Sequence, residues 1–358
     1  MFFPLALLAA MLLLSGQAAA EEAELPAQLE RAAPEAAGLV DGSASSGFGL
    51  ASGAAVLWQR AVKSMGEHLL SGVRSVAAIM AGVVVLGAVE SAAPDRQGVV
   101  GRYASVAGAM WITAVTAGDL NALIGLGRET ITQIAQLSKV LLPALAAATA
   151  AMGGVTSASV RQVAAVFFSD VLLTVIERLL MPMVYLYIGV AAGAAVLEGE
   201  TMESIGKLLK KVIGWLLGGL LTLFTAYLTI SGAVAGASDA QAVRLAKTAV
   251  SSAVPVVGSI LAEAAESVLA GAGLLRGMVG SFGALAVLSL CLTPFLRLGA
   301  QYLLYQGASL VADTVGPKKL TKLMAMLADA FALVLAMTAA SALLLMISLV
   351  SSLAAVTP

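Results

Sequence analysis

The stretch VIGWLLGGLLTLFTAYLTISGAVAG, Val212 to Gly236, runs for twenty-five residues without a charge and follows the basic cluster Lys207, Lys210 and Lys211. At 1.5 Å per residue a helix of that length crosses the roughly 30 Å hydrocarbon core of a bilayer, and it satisfies its backbone internally. The stretch therefore predicts an integral membrane protein, with the lysines at the cytoplasmic edge of this span.

Composition points the same way: 60% of the 358 residues are hydrophobic, 11% are charged, and the mean hydropathy is +0.97. A soluble domain of this size could not hide so much apolar surface. A net charge of −1 argues against nucleic acid as a partner, because that interaction needs a basic surface to displace counterions. Cys291 is the only cysteine and His68 the only histidine. One chain can then form neither a disulfide nor a cysteine or multi-histidine metal cluster, and no cofactor is expected. His68 reads as part of a juxtamembrane amphipathic face.

Outward from the deciding stretch, further apolar segments predict spans near Ser75–Val89, Tyr103–Gly118, Val140–Met152, Val163–Ile176, Leu179–Leu197, Val279–Leu296 and Met324–Val350. Several are short for a 30 Å core and imply tilted or broken helices. The fold class expected is an all-α polytopic membrane protein with about seven or eight transmembrane helices, amphipathic interfacial helices and one re-entrant or broken segment.

Ahead of these spans, residues 1–20 have the outline of a signal peptide, with an apolar core from Phe2 to Leu14 and Ala18, Ala19 and Ala20 before Glu21. No Lys or Arg precedes that core, so an uncleaved anchor is the alternative. Residues 21–55 are acidic and rich in Ala, Gly, Ser and Pro, the composition of an exported flexible leader. Residues 56–74 alternate Trp58, Arg60, Lys63, Glu67 and Arg74 with Val56, Leu57, Val62, Leu69 and Leu70, which predicts an amphipathic interfacial helix. The polytopic domain then fills 75–358. Exporting Glu21 places Arg96, Arg102, Arg161, Lys207, Lys210, Lys211, Arg297, Lys318, Lys319 and Lys322 in cytoplasmic loops, ten of the twenty basic residues and a modest positive-inside bias.

Two connections are too patterned for loops. Asp119–Lys139 repeats Leu120, Leu123, Ile124, Ile131, Ile134 and Leu137 among polar residues and predicts an external amphipathic helix. Ser238–Gly277 is interrupted by Pro255 and Gly258, which suits a re-entrant hairpin or broken helix.

Candidate functional residues follow from cost. A carboxylate at membrane depth costs about 2.5–3.5 kcal/mol on insertion scales, so Asp170 within FFSDVLLTVIERLL reads either as a pathway group or as an end-of-helix charge. Asp329 carries the same two readings. Glu263 and Glu266 share a helical face in the broken segment, as a cation site or as partners for Arg276 or Lys247. Pro255 and Gly258 break a helix whose freed backbone groups need a cavity or neighbouring protein. The pairs Gly214 with Gly218 and Gly232 with Gly236 have the four-residue spacing that lets helices approach closely, within the chain or between subunits. Gly153-Gly154 lacks the Gly-Lys-Ser/Thr sequence and the preceding strand of a phosphate loop. No catalytic constellation is present in the sequence, so an intramembrane enzyme is not expected.

The run ISGAVAGASDAQAVRLAKTAVSSAVPVVGSILAEAAESVLAGAG, Ile230 to Gly273, closely resembles the signature region of the stage III sporulation protein AE family of endospore-forming bacteria. KLLKKVIGWLLGGLLTLF at Lys207–Phe224, and Pro143 with GGVTSAS between Leu142 and Ser159, resemble it in the same order. The resemblance covers roughly Ala51–Val350 and is most specific over Ala246–Gly271. It implies a polytopic, non-enzymatic subunit of the channel complex in the mother-cell membrane around the forespore. It also implies partners: a secretion-type ATPase, ring-forming proteins and a forespore protein across the intermembrane space. A stand-alone secondary transporter or permease is the alternative. If the break matters, replacing Pro255 or Gly258 with Leu abolishes function in a complementation assay while membrane insertion is retained; wild-type activity in both variants would discard the idea.

Overall fold

The computed structural model describes residues 50–92, 99–151, 155–196, 201–253 and 258–354, all but two of them helical, with no strand among them. Helices α1 (Leu50–Ala92), α2 (Val99–Ala151) and α3 (Val155–Val175) are followed by a π-turn (Ile176–Leu180) that runs straight into α4 (Met181–Val196). Then come α5 (Thr201–Ala253), α6 (Gly258–Val315) and α7 (Lys318–Ala354). Six helical stretches are long and apolar enough to cross a membrane: 69–89, 103–147, 163–196, 201–230, 279–314 and 318–351. The signal-peptide region, most of the leader and Pro255 lie outside the described residues, as do the side chains of Glu263 and Glu266 and the surroundings of Gly232 and Gly236.

The all-α membrane class stands, while several boundaries differ from the sequence expectation. The spans expected at Tyr103–Gly118 and Val140–Met152 are two ends of one helix, α2, and Asp119–Lys139 is its middle rather than a separate helix. Pro143 lies inside that helix, which tolerates the missing N–H. The interfacial segment 56–74 and the span after it are likewise one helix, α1. Val163–Ile176 and Leu179–Leu197 form one column joined by the π-turn. Pro182 explains the turn: it has no N–H for the Arg178 carbonyl and its ring crowds that carbonyl, so a widened turn relieves the clash. The stretch Leu298–Lys322, expected as a loop carrying Arg297 at its edge, is helical through Val315, and only Gly316 and Pro317 turn the chain into α7. Gly316 N–H donates to the Ala312 carbonyl at 2.7 Å to close α6.

Helix α7 occupies the centre. Leu320, Met324, Leu327, Ala328, Phe331, Val334 and Met337 are all buried in one apolar core with residues of every other helix. A second core cluster at its far end joins Leu345 and Leu349 to Leu57, Leu141 and Phe282. Glycines set the closest approaches. A Cβ at Gly127 of α2 would meet the Val334 side chain, and one at Gly283 of α6 would meet Leu141 and Leu349. Gly82 of α1 makes room for Trp111, whose Nε1–H donates to the Ala78 carbonyl at 3.3 Å.

These contacts also fix direction. Gly108 against Leu320, Gly127 against Val334, and Leu141 beside Leu349 advance together, so α2 runs parallel to α7. Tyr305 stacks on Phe331 while Gly283 meets Leu349, so α6 is antiparallel to α7. Gly127→Leu and Gly283→Leu are expected to overpack this core by about 1–3 kcal/mol and to lower the thermal unfolding midpoint in detergent. Gly214→Leu, where a Cβ meets nothing within 4 Å, should leave that midpoint unchanged.

Candidate functional site

Polar side chains inside the bundle gather at one level. On one side, Asp329 of α7 accepts from Lys210 Nζ of α5 at 2.7 Å and from the Tyr187 hydroxyl of α4 at 3.3 Å. On the other, Asp119 of α2 accepts from Gln301 Nε2 at 3.1 Å and from the Tyr305 hydroxyl at 3.3 Å, both on α6. Tyr305 is fully buried and lies within 3.3 Å of Thr116 Oγ1 as well. The two clusters share a level because Phe331, two residues after Asp329, packs edge-on against Tyr305 with ring centroids 5.1 Å apart. Helix α1 reaches the same level at Gly72, where a Cβ would meet Gln301.

Lys210 with Asp329, and Lys322 with Glu203 at 2.8 Å, are both separated by 119 positions in sequence, so α5 and α7 run parallel in a constant register. Glu203 also pairs with Lys207 one turn along α5 at 2.8 Å. Lys318, Lys319 and Lys322 with Glu203 thus stand at one end of the bundle, and Lys207, Lys210 and Lys211 lead from there to the layer, the arrangement expected if that end borders the cytoplasm. The Lys210–Asp329 pair is part-exposed, with 49% and 27% of the side chains accessible, so it acts more as a register pin than as a large stabilising term.

The layer divides the bundle into halves of opposite character. Toward the lysine end α1 and α2 are apolar and expose Val84, Val85, Val89, Tyr103, Met110 and Trp111, whereas α5 carries Glu203, Lys207 and Lys211. Toward the other end the roles exchange. There α5 exposes Trp215, Leu223 and Ile230, while α1 exposes Arg60 and Lys63 among Val56, Trp58 and Val62, and α2 exposes Arg128, Glu129 and Lys139.

The sequence-predicted residues fall unevenly on this frame. Asp170 is exposed on α3, in the half beyond the layer, because neighbouring Ser169 lines a small crevice with Ser138 and Ser341. Glu177 faces Arg128 at 3.8 Å. Gly214 and Gly218 are exposed on α5 with open space beside them, so they make no close helix contact among the described residues. Gly258 is the first residue of α6. Asp329, read as either a pathway acid or an end-of-helix charge, pairs with a lysine 119 positions away. Asp119, Gln301 and Tyr305 were not singled out; the usable signal was Gln301 and Tyr305 four residues apart on one face of α6.

These features define a multi-pass, all-α membrane protein organised about an internal polar layer. The chain belongs to the stage III sporulation protein AE family, whose model matches residues 52–355. The Stage III sporulation protein AE of Bacillus subtilis (strain 168) is 23% identical over 193 residues, which cover 54% of this chain and 48% of that protein. The chain thus spans about half the length of the curated relative it matches. No solved structure matches it.

A double-mutant cycle of Lys210→Met and Asp329→Asn, followed by unfolding in detergent, should give a coupling of about 0.5–1 kcal/mol. A coupling within error of zero would remove the pair as the pin between α5 and α7.

Proposed function

We propose that this protein is a non-enzymatic membrane subunit of the channel complex that joins the mother cell to the forespore during sporulation. The observation that carries the reading is the family match over 52–355, which takes in nearly all of the helical bundle. On this reading the chain resides in the mother-cell membrane around the forespore, with an exported leader at 21–55 behind a signal peptide at 1–20. Its partners are a separate ATPase, ring-forming proteins and the surrounding lipid. The reading assigns Pro255, Gly258, Glu263, Glu266 and Asp170 to the transport path or to the helix break beside it. It assigns Gly214, Gly218, Gly232 and Gly236 to contacts between subunits, which suits the open space beside the first two.

Deletion of the gene in its native host, with complementation, tests the assignment. Loss of heat-resistant spores after completed engulfment, with small forespores and silent late forespore reporters, is the expected result. Normal sporulation would overturn the assignment and favour a stand-alone permease.

A further inference from the structure

The exchange of polarity at the internal layer has a physical consequence for how the bundle meets a bilayer. Toward the lysine end the apolar stretches of α1 and α2, residues 75–89 and 103–118, end at the layer. The apolar stretch of α5, residues 212–230, starts at it and runs the opposite way, alongside 330–350 of α7 and 279–296 of α6. The centres of the two apolar zones are therefore separated by about 28 Å along the bundle at 1.5 Å per residue. Tilting does not bring them into one plane. A 40° tilt acting across two interaxial spacings of about 10 Å takes up about 17 Å of the separation and leaves about 11 Å.

The larger zone is the one beyond the layer. There α5, α6, α7, α3 and the start of α4 up to Leu186 present apolar side chains, including exposed Leu223 and Trp215. A bilayer centred on that zone puts a charged face of the same bundle at hydrocarbon depth. Arg60 and Lys63 of α1 are at that depth because Leu57 and Ala61 beside them are buried, Leu57 in the cluster with Leu141, Phe282 and Leu349. Arg128, Glu129 and Lys139 of α2 are there because Gly127 meets Val334 and Leu141 lies beside Leu349 through Gly283. Asp170 of α3 lies at the level of Ser341 and Leu344 through the crevice they share with Ser169. All six charged residues are exposed, and Arg128 has only the 3.8 Å contact with Glu177 as a described ion pair. Charged side chains at that depth face protein or a water-filled cavity and not lipid tails.

We propose that this face of α1 and α2, with Asp170 of α3 beside it, forms one wall of a water-filled passage through the membrane. The apolar faces of α4 and α5 point to lipid or to neighbouring subunits. The inference deepens the channel reading above and rests on it for what the passage serves. Its geometry stands on the register of the bundle alone.

Cysteine accessibility in membranes holding the full-length chain tests it without a sporulation readout. Single replacements Lys63→Cys, Arg128→Cys and Lys139→Cys on the charged face are compared with Leu223→Cys and Trp215→Cys on the apolar face of α5 at matching depth. Lys318→Cys at the exposed end serves as reference, and buried Cys291 is the silent background. The probe is a membrane-impermeant sulfonated maleimide applied to right-side-out and to inverted vesicles. The charged-face positions should react within about tenfold of the reference and from both sides, and the two apolar positions at least about a hundredfold more slowly. Reaction at the charged face as slow as at Leu223 and Trp215 would overturn the proposal. Fast reaction from one side only would also overturn it, leaving a cup open to that side. A sporulation defect with slow labelling would retain the channel role and discard this wall, whereas fast labelling in a strain that sporulates without the gene would do the reverse.

Discussion

The contact between Lys210 and Asp329 at 2.7 Å is the constraint around which the rest of the molecule is arranged. It pins α5 to α7 in a parallel register, and α7 packs on α2, α3, α4, α5 and α6, while α1 packs on α2 and α6. Two residues along, Phe331 turns to the opposite side and meets Tyr305, whose hydroxyl reaches Asp119. A single level of the bundle thus holds two carboxylates, two tyrosine hydroxyls, an amide and an ammonium. The buried tyrosine hydroxyls are costly without their partners, so the layer resists sliding of one helix on another, while the part-exposed Lys210–Asp329 pair adds direction more than energy. Apolar packing alone is far less particular about register, because one leucine replaces another with little penalty.

Glycine reinforces the same register by a steric route. Where Gly82, Gly127 and Gly283 stand, the facing side chains occupy the volume a Cβ would need. Hydrogen bonding specifies the middle of the bundle and close packing specifies positions above and below it. Gly214 and Gly218 do the opposite. They leave a smooth, open strip on the outer side of α5, which suits contact with another molecule more than internal packing.

The layer also marks where polarity exchanges between the two sides of the bundle. A membrane protein that worked alone would have an uninterrupted apolar girdle, since lipid tails cannot solvate charge. Here the girdle is complete on α5 and interrupted on α2. That asymmetry fits a chain that works within an assembly, which is also what membership of the sporulation family suggests. The long helices contribute as well: α2, α5 and α6 each exceed fifty residues, more than twice what a bilayer core requires.

Much of this was written in the sequence. The uncharged run from Val212 to Gly236, the spacing of apolar segments and the basic clusters determine an all-α membrane protein, because hydrophobic length and backbone satisfaction are properties of a segment by itself. The amphipathic character of 56–74 and 119–139 was equally readable from periodicity. Segment-level reasoning failed where continuity was decided. It divided α2 at Asp119 and the α3–α4 column near Leu179, because a polar stretch looks like an exit from the membrane until the neighbouring helices are known. The partners of Asp329 and Asp119 lie 119 and 182 or more positions away, beyond any local pattern. Only the tertiary structure decides which carboxylate meets which donor, and at what depth each charge sits, since depth is set by the register between helices and no single helix carries that information.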